Sequence, residues 1–589
     1  MKSILSGNEA VARGCYEYGV HVATAYPGTP STEILENVSQ YSEIYSEWSP
    51  NEKVAFEVAM GATFEGARTL VAMKHVGLNV AADPFMSMSL IGAPGGFIVV
   101  SADDPGMHSS QNEQDNRYYA KFAGYPCLEP SDSQESKDFV GEALDISTEF
   151  DVPILFRMTT RICHSKGVVT LGDRKEYPVK GFQPDPLKFV VLPAHGRIRH
   201  PITVERLNKL KEFSERTTLN HIEKGSGDIG IITNGIAYQY VKEVMPDTSI
   251  LKLGMSYPLS MNKIRTFSES VKKLYIIEEL EPFIEEQVKA EGIACEGKKF
   301  WSNLGELSPD AVENGFVQAG VIKKKVTITK KEDVIKRPPI FCPGCPHRGL
   351  YYSLNKLKAR VTTDIGCYTL GVLPPISSGD TCVEMGASIG VAVGMAKARG
   401  DGKGIVATIG DSTFLHSGMT GLLNAANDGA DITVVIADNS ITAMTGGQQH
   451  PGSGKTLMGE GANKVDLVAI CKSLGVKNVK IADPYHLDDI QKILKEEMES
   501  DELSVVITNR PCALFPPEMR KLVKEKPYTV DLEKCIGCKR CFQVSCPAIS
   551  DAEEKTEKNL FKTKIDPLLC TGCSVCAQVC PVNAIVATE

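Results

Sequence analysis

Residues 402–418 read GKGIVATIGDSTFLHSG, and residues 431–440 read DITVVIADNS. Each holds a short apolar run closed by turn residues. Ile405 to Ile409 stops at Gly410 and Asp411, and the second run stops at Asp438 and Asn439. A helical stretch lies between them. Strand, helix and strand in that order make the unit of a parallel sheet, so Asp411 and Asn439 emerge at one carboxyl edge, where open α/β sheets bind ligands. A carboxylate, an amide oxygen and nearby backbone carbonyls are hard donors suited to Mg²⁺ carrying a diphosphate. Taken singly, Gly-Asp-Ser is a turn and Asp-Asn a strand terminus. Set 28 positions apart (439 minus 411), each closing an apolar strand, they favour a site.

The same alternation runs outward in both directions. In the first block, 1–190, the apolar runs VHVATAY, TLVAMK, FIVVS and VPILFRM alternate with helical stretches. The second, 191–330, repeats the pattern more briefly with DIGIITNG, a helix through AYQYVKEVM, then SILKLG and LYIIEE. The third, 331–525, contains the opening motif, and the fourth, 526–589, is rich in cysteine. The fold class is therefore multidomain α/β with parallel sheets. A charged stretch, KKKVTITKKEDVIKRPP, reads as a solvated linker between the second and third blocks, or equally as an edge strand.

Composition narrows the function. The chain has 589 residues, 42% hydrophobic and 23% charged, which is enough to bury several cores. A net charge of −9 gives no basic footprint for nucleic acid or an anionic membrane surface. No apolar run reaches the roughly 18 to 20 residues of a bilayer span, and MKSILSGNEAVARG meets a glutamate before any signal-peptide core develops. The expected location is cytoplasmic. Of 18 cysteines, eight lie between Cys535 and Cys580, a clustering that points to metal ligation in a reducing compartment and away from a disulfide scaffold.

The tail carries one cysteine pattern twice. CTGCSVCAQVCP places Cys570, Cys573, Cys576 and Cys580 in the C-x2-C-x2-C-x3-C-P run of bacterial ferredoxins, where three thiolates hold one cubane and the fourth crosses to the other. CIGCKRCFQVSCP repeats it with Cys535, Cys538, Cys541 and Cys546, one residue longer before its last cysteine. By the cross-over rule one [4Fe–4S] cluster takes Cys535, Cys538, Cys541 and Cys580, and the other takes Cys570, Cys573, Cys576 and Cys546. A zinc ribbon would need only four of these thiolates. Two low-potential cubanes imply electrons moved singly, so the rest of the chain should perform a two-electron reaction. A further pair, Cys342 and Cys345 in FCPGCPHRG, has a spacing shared by zinc clips, redox dithiols and cluster corners.

The Asp411 and Asn439 pair resembles the thiamine diphosphate motif, with Ser412 in place of its last glycine. The combination with ferredoxin-type cysteines resembles the 2-oxoacid:ferredoxin oxidoreductases, and most closely the large subunit of their indolepyruvate-type members. AYPGTPSTEI, MHSSQNEQDNR, FRMTTRICHS, FCPGCPHRG and GDSTFLHSG carry the likeness across nearly the whole chain. It implies a pyrimidine-binding domain at 1–190, a transketolase C-terminal-like domain at 191–330, a diphosphate-binding domain at 331–525 and a ferredoxin-like α+β domain at 526–589.

The resemblance also implies roles for residues. Asp411, the Asn439 side chain and the Ile441 carbonyl would ligate magnesium, with Gly410 and Ser412 completing the diphosphate motif. Met385 in CVEMGASIGVAVGMAKARG would support the bent cofactor, and Gly386, Gly390 and Gly394 would allow close packing on one helix face. Glu52 in SPNEKVAFEVAMGATFEGAR would press against the aminopyrimidine ring; read by itself, it is a first-turn helix acid. Cys342, Cys345, Cys367 and Cys512 would hold a third [4Fe–4S] cluster. Thr29, His108 and Arg117 would receive the substrate, with His347 facing the same site, whereas Arg157 and Arg161 read as structural. The implied reaction converts an aryl-pyruvate and coenzyme A to an aryl-acetyl-CoA and CO₂, reducing ferredoxin. A smaller beta subunit would join the chain in a heterotetramer or other hetero-oligomer. Another 2-oxoacid:ferredoxin oxidoreductase, a non-oxidative thiamine-dependent 2-oxoacid decarboxylase with regulatory clusters, and a non-catalytic electron-transfer scaffold are the competing readings.

Overall fold

The computed structural model describes residues 1–323, 338–515 and 526–588. Most of the charged stretch KKKVTITKKEDVIKRPP lies outside them. The chain gathers into two compact units, Met1–Glu332 and Asp333–Glu589.

The first unit is built on a seven-stranded sheet. Its order is Met255–Tyr257, Cys127–Leu128, Ile154–Thr159, Phe97–Asp103, Thr69–Lys74, Val22–Ala25 and Tyr45–Trp48. All neighbours are parallel except the outermost pair, where Met255 faces Leu128 in antiparallel register. The central strand Phe97–Asp103 is buried along its whole length, as a parallel strand covered on both faces must be. A second sheet, in the order Lys273–Ile277, Ile229–Asn234, Ser249–Leu253 and Asn220–Glu223, belongs to the second block. That block is not self-contained, because it lends Met255–Tyr257 to the first sheet.

Buried ion pairs lock the two sheets together. The Arg157 guanidinium donates to Asp103 at 2.7 Å and to Glu129, and Glu129 accepts in turn from the Asn234 side chain at 2.8 Å. Arg117 donates to Asp115, to Glu278 and to the backbone oxygens of Glu279 and Glu281. Burial alone would make each of these charges costly, and each is compensated by a partner of opposite sign.

The second unit carries a six-stranded, wholly parallel sheet: Thr381–Cys382, Arg360–Thr363, Ile405–Gly410, Thr433–Asp438, Ser504–Asn509 and Asn478–Ala482. Gly410 pairs with Ala437 and Asp438 with Asn509, so neighbouring strands end at one level. The helix after Asp411 contains a π turn at Phe414–Gly418 before continuing as Met419–Asn427. The tail forms two antiparallel pairs, Tyr528–Val530 with Ile585–Ala587 and Ile549–Lys555 with Phe561–Ile565. Its apolar residues pack with Tyr352, Tyr485 and Leu487 of the preceding block in one core.

Gly386 precedes the helix Ala387–Arg399 at φ +95°, and a Cβ there would fall 2.5 Å from that of Ser417. The expected packing at Gly390 and Gly394 is corrected: both point into open space within the chain. Among the described residues, no helix is long and apolar enough to cross a membrane.

Candidate active site

At the carboxyl edge of the six-stranded sheet, Asp411, Asn439 and Ile441 come together with all three side chains buried. The Ser440 amide donates to Asp411 at 2.8 Å, and the Ile441 amide to the Asn439 side-chain oxygen at 3.2 Å. His347 lies 3.3 Å from the Asn439 amide nitrogen. Burial pushes the His347 imidazole down to about 4, so the neutral ring can accept from that nitrogen and leave an oxygen lone pair of Asn439 for a cation. Burial pushes the Asp438 carboxyl up to about 6, and Asp411 beside it adds to the effect. Burial opposes the charge of Asp411 as well, but His450 and Asp438 hold it below the usual carboxylate range. Nε2 of His450 stands 3.2 Å from the Asp411 oxygen, within ion-pair distance though outside hydrogen-bond geometry. The set fits a hard divalent cation: one ionised carboxylate, one amide oxygen and adjacent carbonyls. Ser412 bonds Thr442 at 2.8 Å, and a cleft of about 510 Å³ opens beside Asp411, Asp438 and Lys464. Met385 is half-buried in the turn before the helix Ala387–Arg399.

The four central cysteines are assembled around this edge. Gly410 has no room for a side chain because a Cβ would lie 2.7 Å from the ring of Tyr368, the neighbour of Cys367. Cys512 donates its amide to the Asn439 carbonyl at 3.0 Å. Cys342 and Cys345 close a turn with a 3.0 Å backbone bond, just before the helix that carries His347. The thiol of Cys367 lies within the field of Cys342 and Cys512, and that of Cys345 within the field of Cys342 and Cys367.

In the tail, a small cavity is lined by Cys535, Cys538, Cys541 and Cys580, and Cys576 lies in the fields of Cys573, Cys546, Cys570 and Cys541. Burial raises the thiols of Cys541, Cys573 and Cys576, a cost that ligated iron removes by holding the thiolate. Among the described residues, no group of three or more His, Cys, Asp or Glu is arranged to hold a single ion. Clustered thiols of this kind are the donor chemistry of iron–sulfur clusters.

In the first unit, Glu52 opens the helix Glu52–Phe64, capped by the Asn51 side chain accepting from the Val54 amide at 2.9 Å. It is 5% exposed. Gly77 makes space for it: a Cβ there would lie 2.6 Å from the Glu52 carboxylate oxygen. Thr29 is half-buried in the loop after Val22–Ala25, and its carbonyl accepts from the Ser109 hydroxyl at 3.3 Å. His108 is exposed and 3.5 Å from Glu306. Arg117 is corrected. It is fully buried, with all three guanidinium nitrogens donating to protein oxygens, so it braces the two sheets and has no surface open to a substrate. Arg157 is buried in the same network, and Arg161 pairs with Glu306.

A relative from Archaeoglobus fulgidus named indolepyruvate oxidoreductase subunit IorA is 41% identical over 99% of this chain and 97% of its own length. The chain belongs to that family. A second IorA relative, from Thermococcus kodakarensis, is 40% identical over 99% of this chain and 96% of its own. Family models match at residues 13–224 (pyruvate flavodoxin/ferredoxin oxidoreductase, thiamine diphosphate-binding), 364–508 (thiamine pyrophosphate enzyme, C-terminal TPP-binding domain) and 529–587 (4Fe–4S dicluster domain). A solved 2-oxoglutarate:ferredoxin oxidoreductase from Magnetococcus marinus, with 2-oxoglutarate, coenzyme A and succinyl-CoA bound, covers 55% of this chain and 65% of its own at 17% identity and a TM-score of 0.45. As an IorA-family member the chain is a 2-oxoacid:ferredoxin oxidoreductase enzyme with thiamine diphosphate-binding domains and iron–sulfur clusters.

Two residues at these sites escape sequence reasoning. His450 reaches Asp411 from a loop. Lys74 ends the apolar strand Thr69–Lys74, beside Gly28, with its ammonium donating to the Ser109 carbonyl at 2.6 Å. Burial pushes it down to about 8 against the pull of Asp104 and Glu52. A lone lysine closing an otherwise apolar run was the available signal.

Proposed function

We propose that this IorA-family chain catalyses oxidative decarboxylation of aryl-pyruvates: indolepyruvate, phenylpyruvate and hydroxyphenylpyruvate. One 2-oxoacid, one coenzyme A and two oxidised ferredoxins give one acyl-CoA, CO₂, a proton and two reduced ferredoxins. The observation that carries this reading is the meeting of the two machineries: Tyr368, next to Cys367, packs on Gly410, and Cys512 bonds Asn439. A cluster held at Cys342, Cys345, Cys367 and Cys512 would thus adjoin the diphosphate motif, and electron transfer falls steeply with distance.

Bound thiamine diphosphate supplies the electron sink for decarboxylation. Asp411, Asn439 and the Ile441 carbonyl would hold Mg²⁺ for the diphosphate, with Gly410 and Ser412 shaping the turn and Met385 placed to support the cofactor. Glu52 holds a proton at the aminopyrimidine. Lys74, with its charge close to Glu52, attracts the 2-oxoacid carboxylate, and Thr29 and His108 contribute polar groups at the mouth. Cys342, Cys345, Cys367 and Cys512 would hold the central cluster, and Cys546, Cys570, Cys573 and Cys576, and Cys535, Cys538, Cys541 and Cys580, would hold the two tail clusters; such clusters supply one-electron carriers when bound. The relatives are named as subunits, which supports a partner chain; a smaller subunit in a hetero-oligomer would complete the coenzyme A site. Free, clustered thiols suit the reducing cytoplasm.

The test is ferredoxin-coupled oxidation of several 2-oxoacids under anaerobic conditions, with the partner subunit added. Aryl-pyruvates should exceed 2-oxoglutarate and pyruvate in kcat/KM, and the product should be the CoA ester. Release of free aldehyde with ferredoxin and coenzyme A present would reject the oxidative reading. About twelve irons per chain are expected, four for each cubane; eight would remove the central cluster.

A further inference from the structure

Arg348 is 1% exposed, yet among the described residues no carboxylate pairs with it. The other buried arginines, Arg68, Arg117, Arg157 and Arg206, each have one or more. Its hydrogen bonds go only to backbone carbonyls: Phe341 at 3.1 Å, Cys342 at 2.7 Å and Val544. Its Nε is buried without a partner. A guanidinium cannot shed its proton, and an uncompensated buried charge is costly, so an anion is missing from this account.

The carbonyls identify the place. Cys342 belongs to the central cysteine set, and Val544 stands two residues before Cys546 of the tail. The Cys342–Cys345 turn also touches the loop of Cys570 and Cys573, since a Cβ on Gly344 would lie 2.2 Å from the Thr571 hydroxyl, and Tyr485 donates its hydroxyl to the Gly344 carbonyl. Cys342, Cys345 and Cys573 all lie within the field of Arg348. A [4Fe–4S] cluster with four thiolates carries net negative charge that grows by one on reduction. Two such anions flanking one guanidinium would supply what the side chain lacks.

We infer that Arg348 is a positioning residue, the counter-ion shared by the central cluster and the tail cluster of Cys546, Cys570, Cys573 and Cys576. Its charge favours the reduced state of each and so raises both midpoints. This rests on the proposed central cluster for one of its two partners; the tail cluster supplies the other independently.

The experiment is an EPR-monitored redox titration of the anaerobic holoenzyme, with iron counted, for wild type, Arg348→Met and Arg348→Lys. Arg348→Met should make the two flanking clusters about tenfold harder to reduce, a negative shift of about 59 mV for a one-electron couple. The cluster of Cys535, Cys538, Cys541 and Cys580 should not move, and Arg348→Lys should stay near wild type. Iron lost from Arg348→Met but retained with unmoved midpoints in Arg348→Lys also supports the charge role. Unmoved midpoints in Arg348→Met, equal shifts in both variants, or iron lost from both would overturn it. Eight irons in wild type would sink the central cluster alone, leaving the tail midpoint to judge Arg348.

Discussion

Replacing Gly77 with alanine tests the placement of Glu52 without touching its chemistry. Gly77 lies inside the helix His75–Val80, and its φ is not in the left-handed region, so the backbone accepts alanine. An added Cβ would stand 2.6 Å from the Glu52 carboxylate oxygen, 2.7 Å from its Cγ and 2.9 Å from its Cδ. Comfortable separations are about 3.5–4.0 Å, so the carboxylate must retreat by about 1 Å. Misplacement of that size at a reacting group costs about 10²-fold in rate. Stability should fall by about 1 kcal/mol, since alanine's gain of about 0.5–1 kcal/mol over glycine in a helix offsets only part of about 1–3 kcal/mol for overpacking. Gly61, in the helix that Glu52 begins, is the control, since a Cβ there meets nothing within 4 Å. Steady-state oxidation of an aryl-pyruvate, with iron content and melting temperature measured on the same samples, should show G77A folded, iron-replete and about a hundredfold slower. G61A should be fully active and slightly more stable. A G77A enzyme as active as G61A would refute the assignment of Glu52.

Lys74, pushed down to about 8 by burial, is charged below that pH and neutral above it. Accordingly kcat/KM for a 2-oxoacid should fall as pH rises through about 8, and Lys74→Arg should carry that limb upward; a pH-indifferent KM would discard the role. Asp411→Asn should abolish Mg²⁺-dependent retention of thiamine diphosphate, measured as bound thiamine after gel filtration, while cluster EPR signals persist. Arg117→Met strands Asp115 and Glu278 in the interior and should cost about 3–5 kcal/mol, read as a lower melting temperature with KM unchanged. A raised KM at unchanged stability would return Arg117 to the substrate.

How much of this was legible depends on how local each signal is. Asp411 and Asn439 could be read because each closes a strand, and strand ends in a parallel sheet share an edge by topology. The tail cysteines could be read because ligation of a cubane fixes their spacing. Arg117 could not: Asp115, two residues before it, is a local partner, but the second carboxylate, Glu278, is 161 residues away in the other block. Lys74 acquires its character only when Glu52 and Asp104 fold around it. Gly390 and Gly394 show the opposite failure, a regular spacing whose expected packing partner is missing within the chain.

The loan of Met255–Tyr257 to the first sheet has a consequence for how the protein is made. As the nascent polypeptide leaves the ribosome, the parallel strands can associate early, but the rim at Cys127–Leu128 stays bare until the later segment emerges and caps it. Throughout that interval the unfinished sheet offers unpaired amides to any passing strand. Ribosome pausing inside the second block should therefore raise aggregation more than pausing beyond it.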